Sequence, residues 1–122
     1  MFLALDLLIT LAVSSAVSAD DARAQDCSIH LKENENLVTL QGAVDPQIWT
    51  AGTYTLLVET RQNGNVSLSQ QAGAFEGGTH QTQEILVLST TTIYLSRGSQ
   101  LNARLKINDG KQRSSCSLSY RK

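Results

Sequence analysis

Apolar and polar residues alternate with period two through most of this 122-residue chain. After the N-terminal stretch, no segment keeps helical spacing for more than two turns. Such alternation sends successive side chains to opposite faces of a β-strand. Cys27, Ile29 and Leu31 alternate with Ser28, His30 and Lys32 in a first strand, and Val38, Leu40 and Gly42 alternate with Thr39, Gln41 and Ala43 in a second. Asp45-Pro46 ends that run, because proline cannot donate to a ladder. Trp49 and Gly52 are expected in the loop before a third strand that turns Tyr54, Leu56 and Val58 inward and Thr55, Leu57 and Glu59 outward. Gln62-Asn63-Gly64-Asn65 reads as a hairpin turn, since Asn-Gly supplies both positive φ values of a type I′ turn. Val66, Leu68 and Gln70 open a fourth strand. It is expected to end in a flexible stretch at Gly73, Gly77 and Gly78. Between Glu84 and Ser96 the apolar positions change parity, from Leu86 and Leu88 to Ile93 and Leu95, which a bulge or a switch between sheets near Ser89–Thr92 would absorb. Finally Leu101, Ala103, Leu105 and Ile107 alternate with Asn102, Arg104, Lys106 and Asn108. Asp109-Gly110 then turns the chain into Cys116, Leu118 and Tyr120.

Seven strands at this spacing, each with one apolar and one polar face, predict an all-β fold: a seven-stranded immunoglobulin-like β-sandwich. The apolar run from Met1 to Ala19 is short for a membrane span and suits a secretory signal, although no Lys or Arg precedes it and Asp6 lies inside it. Small residues at Val17-Ser18-Ala19 and at Ala22-Arg23-Ala24 offer two cleavage sites. Taking the second makes residues 1–24 the signal peptide and residues 25–122 one domain, near the size at which a core alone is marginal. Two cysteines remain in an exported chain, Cys27 and Cys116, and an even count argues for a structural disulfide. Both fall on inward positions of the terminal strands. The loop between them is long enough for the bridge to contribute up to about 4.5 kcal/mol in the chain-entropy model.

No catalytic centre is expected. His30 lies among outward residues and His80 in the glycine-rich loop, and neither has a Ser, Cys or carboxylate neighbour at a spacing that suggests a triad. Gly73-Ala74-Phe75-Glu76-Gly77-Gly78 lacks the Lys and the helix of a phosphate loop. Two thiols and two histidines without a Cys-x-x-Cys do not make a zinc set, so no metal or other cofactor is expected. Asn65-Val66-Ser67 matches a glycosylation sequon but overlaps a tight turn.

Charge changes the picture. Residues 25–96 hold two basic and seven acidic side chains, whereas residues 97–122 hold seven basic and one acidic. By parity Arg104, Lys106 and Arg113 point outward, and in a sandwich of this type the third strand lies beside their hairpin, adding Arg61 to the same face. Basic residues on outer strands can serve only to prevent edge-to-edge aggregation. Four on one face would also attract acidic partners. Nucleic acid is not expected as that partner, because the face lacks stacking aromatics and the compartment is wrong. A second reading is a secreted binding or adhesion module whose contacts are loop-borne, through Trp49 and residues 73–80; against it, Trp49 immediately precedes a core strand.

The stretch from Val58-Glu59-Thr60-Arg61-Gln62-Asn63-Gly64 through Ser67-Leu68-Ser69-Gln70-Gln71, then Leu88-Ser89, Ile93-Tyr94-Leu95-Ser96 and Leu105-Lys106-Ile107-Asn108-Asp109-Gly110, resembles the curli-assembly family CsgC/CsgH. The enterobacterial branch carries a Cys-x-Cys pair where this chain has Gly52-Thr53-Tyr54, so a redox role tied to that pair does not transfer. The terminal cysteines are similar to those of the CsgH branch. The resemblance implies a monomeric periplasmic protein, not inserted in the membrane, that inhibits polymerisation of a curli-type amyloid subunit. The electrostatic contact face would then be Arg61, Arg104, Lys106 and Arg113.

Overall fold

A computed structural model describes residues 27–76 and 84–122. The expected signal peptide, His80, Gly77 and Gly78 lie outside the described residues. Seven strands run in the order β1 Cys27–Asn34, β2 Leu37–Val44, β3 Ala51–Gln62, β4 Asn65–Glu76, β5 Leu86–Tyr94, β6 Gln100–Asn108 and β7 Arg113–Arg121. They form a three-stranded sheet, β1-β2-β5, and a four-stranded sheet, β4-β3-β6-β7. Every pairing is antiparallel.

One core lies between the sheets. Val38, Leu40 and Val44 of β2 meet Leu56 and Val58 of β3 and Leu101, Ala103, Leu105 and Ile107 of β6, with Trp49 and Leu95 closing the ends. Each buried leucine contributes about 1.5–3 kcal/mol by leaving water. Gly42 faces this core, and a Cβ there would lie 3.2 Å from the Leu105 side chain, so its smallness lets the two sheets approach. Cys27 of β1 is bonded to Cys116 of β7, joining the first and last strands across the sheets.

The turns follow the sequence chemistry. Asn63 and Gly64 both take positive φ (52° and 80°), which fixes Gln62 opposite Asn65. Asp45 accepts a backbone N–H from Gln47 on its side chain (2.9 Å) and those of Ile48 and Trp49 on its carbonyl, coiling the chain before β3. The β6–β7 loop spans residues 109–112; Asp109 accepts the N–H groups of Lys111 and Gln112 at 2.8 Å, and Gly110 takes φ 92°. These N–H groups hold the Asp109 carboxyl below its ordinary range.

Two expectations change. The parity shift in β5 is a bulge, but earlier than expected: Gly42 pairs with Ser89 and Ala43 with Val87, leaving Leu88 as the extra residue. Gly52 lies within β3, and Gly73 lies within β4, which continues to Glu76. The facing of β4 is set by its pairing with β3. Val66 lies opposite Arg61 and Leu68 opposite Glu59, so these apolar residues point outward, 58% and 64% exposed. The two-residue turn imposes this register; a slip of one residue would have buried them but broken the turn.

Candidate functional site

The outer face of the four-stranded sheet is assembled row by row from its pairings. Arg61 lies between Val66 and Gln100, and Gln100 pairs in turn with Arg121. In the next row Glu59 lies between Leu68 and Asn102. Leu57 and Arg104 follow, then Thr55 and Lys106, then Thr53, Asn108 and Arg113. All four cations expected on this face are there, and all are exposed.

They do not form one cluster. Arg104 and Lys106 are two residues apart on β6, about 7 Å, and Arg113 is diagonal to Lys106 across the β6–β7 pair at about 7–8 Å. These three make a continuous stripe. Arg61 lies four residues along the strands from the row of Arg104, about 13 Å away. It joins instead with Arg121, which stands in its own row. Arg121 has the same parity as Arg113, so the alternation around Cys116 carried the signal for it. Between the two groups, Glu59 approaches Arg61 at 3.6 Å. An exposed pair of this kind is worth about 0–1 kcal/mol. Among the described residues, no carboxylate forms an ion pair with Arg104, Lys106 or Arg113.

The relief of the face follows from small side chains. β7 turns Ser115, Ser117 and Ser119 outward beside the longer cations of β6. Two open depressions result. One is bordered by Lys106 and Arg113 with Thr53, Thr55, Asn108 and Ser115, and the other by Arg104 with Leu57, Glu59, Leu68, Asn102 and Ser117. Charge and exposed apolar surface therefore share this face, with Val66 and Leu68 along its β4 border. Such a face suits transient contact with an acidic protein more than capture of a small ligand.

Elsewhere the structure offers less. His30 is exposed, and its Nε2 lies 2.9 Å from the Ser28 hydroxyl. Among the described residues, no three His, Cys, Asp or Glu side chains gather as a metal set. The loop-borne alternative fails at Trp49, which is 1% exposed and packs in the core, so it cannot anchor a ligand at the surface. At Gly52 a Cβ would lie 2.7 Å from the Asn108 carbonyl oxygen, so any larger residue there would force the β3 and β6 backbones to shift.

The sequence model of one family, described as CsgH protein, matches residues 26–119. Among solved structures, the solution structure of R. palustris CsgH is similar at 25% identity and a TM-score of 0.62, covering 76% of this chain and 89% of that one. The E. coli curli protein CsgC is similar in fold, with 11% identity and a TM-score of 0.58 over 78% of this chain and 96% of that one. No curated protein sequence matches.

Proposed function

Since this chain belongs to the CsgH family, we propose that it is a periplasmic inhibitor of curli-type amyloid assembly, meeting the exported fibre subunit through its basic sheet face. The observation that carries this reading is the stripe of Arg104, Lys106 and Arg113, which has no ion pair among the described residues and is flanked by Arg61 and Arg121. Cross-β nuclei grow by strand pairing and are few, so a protein that meets acidic subunits briefly and repeatedly can spoil them at low molar ratio. Long-range attraction raises the encounter rate without requiring tight binding. In this reading the two sheets form an immunoglobulin-like sandwich, the signal peptide is removed on export, the protein acts as a monomer, and it has no enzymatic activity.

The test is the polymerisation of a purified curli subunit followed by amyloid dye fluorescence. The protein at low molar ratio lengthens the lag, and Arg104→Glu with Lys106→Glu shortens it again. A lag unchanged by the wild-type protein contradicts the reading.

A further inference from the structure

The four edges of the two sheets are not protected alike. β1 carries Lys32 and Glu33, and β7 carries Arg113 and Arg121 and is tied to β1 by the Cys27–Cys116 disulfide. β5 is bulged at Leu88. Charges, bulges and covering elements are the means by which natural sheets keep their edges from pairing with other chains. Among the described residues, β4 has none of them from Asn65 to Phe75. It runs in unbroken register with β3 for twelve residues, without Pro, Lys or Arg, and ten of the twelve are exposed.

Its backbone polarity follows from the turn. Gln62 and Asn65 flank the two-residue loop as a hydrogen-bonded pair, and in an antiparallel ladder such pairs alternate with pairs whose N–H and C=O groups point away. The groups of Val66, Leu68, Gln70, Ala72 and Ala74 therefore point to the free side. Among the described residues, no strand lies there. Their side chains share the outer face with the cations, so backbone edge and basic face form one surface.

We propose that the β4 edge is a strand-pairing site for an extended acidic segment of the amyloid-forming subunit, one with small or amide side chains able to lie beside Ser69, Gln70 and Gln71. The proposal rests on the function proposed above. Charge selects this occupant over a second copy of the chain. Edge-to-edge pairing of two copies would place two outer faces side by side, each with Arg61, Arg104, Lys106, Arg113 and Arg121 against Glu59 and Glu76. An acidic strand at the same edge lies two strand spacings from Arg61, about 10 Å, within a Debye length at moderate salt. Pairing here also ends growth on one side: a strand added to β4 is backed by a folded sheet whose far edge is stapled, so it cannot serve as a template there.

The experiment compares the wild-type protein with Gln70→Pro, Ala72→Pro and Ser69→Lys. The prolines remove free-edge donors without touching the β3 ladder, and the lysine points a charge to the inner side of β4, where Ser69 is exposed. Thermal unfolding first establishes which variants fold as the wild type does; Ser69→Lys keeps the test open where a proline disturbs the strand. Each folded variant is then added to polymerising curli subunit, and backbone amide exchange is followed in the wild-type protein with fresh monomeric subunit. The expected result is a lag extension reduced at least threefold in the edge variants, with slowed exchange at Leu68, Gln70 and Ala72. A wild-type lag extension that the edge variants match, with no slowed exchange in β4, overturns the edge site and leaves the proposed function standing. A wild-type protein that leaves the lag unchanged overturns both. A wild-type dimer in sedimentation that the edge variants abolish assigns the edge to a second copy and also overturns the proposal.

Discussion

At the scale of single residues, the fold depends on polar side chains that no alternation pattern singles out. Gln62 lies at the end of β3, where the sequence shows only the start of a turn. Its Oε1 accepts the Ser96 N–H (2.9 Å) and the Ser96 and Ser99 hydroxyls, while Nε2 donates to the Tyr94 carbonyl at 3.0 Å. One side chain thus ties the β3–β4 hairpin to the crossover between β5 and β6. Ser99 is buried, so removing the amide leaves its hydroxyl with the Ser96 hydroxyl alone (3.0 Å) and strips the Ser96 N–H and the Tyr94 carbonyl of the Gln62 contacts. Gln62→Ala is expected to cost about 1–3 kcal/mol, read as a lower urea midpoint at unchanged slope. Trp49 follows the opposite logic. Its position beside the Asp45 turn gives no alternation to read, yet it is among the largest fully buried side chains. What decides it is the turn itself, whose hydrogen bonds to the Asp45 carbonyl fold the indole under the sheets.

At the scale of elements, the two sides of the molecule are closed differently. On the β1–β7 side, Lys122 Nζ reaches Glu33 at 2.7 Å and donates to the Glu35 carbonyl at 2.6 Å, alongside the disulfide. Replacing both cysteines with alanine is expected to remove up to about 4.5 kcal/mol, measured by denaturant unfolding against the oxidised protein. Hydrogen bonds from Lys122 and Tyr120 hold the Glu33 carboxyl below its ordinary 4.5. A lowered folded value contributes stability that is fully present above the unfolded value and lost as pH falls through the folded one. Stability should therefore decline below about pH 4.5, and Glu33→Gln should flatten that limb in urea titrations at successive pH values. On the β4–β5 side the described links are fewer: the hydrogen bond from Ser89 to Gln71 and the Gln62 contacts at one end. The elements on the stapled side, and the inward faces of β2, β3, β6 and β7, were legible because burial and alternation agree there. The facing of β4 was not, because Val66 and Leu68 share one side of the strand but only the register set by the Asn63-Gly64 turn decides that this side points outward. The outward placement of Arg61, Arg104, Lys106 and Arg113 followed from parity once β3 was set beside β6. Their division into two groups did not, because it depends on the register between strands, which alternation within each strand leaves open.

For the whole molecule, the near-balance of charge hides a separation: the acidic residues are concentrated before residue 97 and the basic ones after it. Folding turns that separation along the chain into one outer face with a cationic stripe and an exposed β4 border. In the proposed function this face, acting through long-range attraction, delays polymerisation of the fibre subunit. Ionic strength tests it most directly, because the screening length shrinks from about 30 Å at 0.01 M to about 3 Å at 1 M. The decisive measurement is the lag of curli subunit polymerisation across this salt range, for the wild-type protein and for Arg104→Glu with Lys106→Glu, each referred to subunit alone at the same salt. The expected result is a wild-type lag extension that is long at low salt and falls steeply as salt rises, and a short, nearly salt-independent one for the charge-reversed protein. Equal lag extensions for the two proteins at every salt concentration would contradict it.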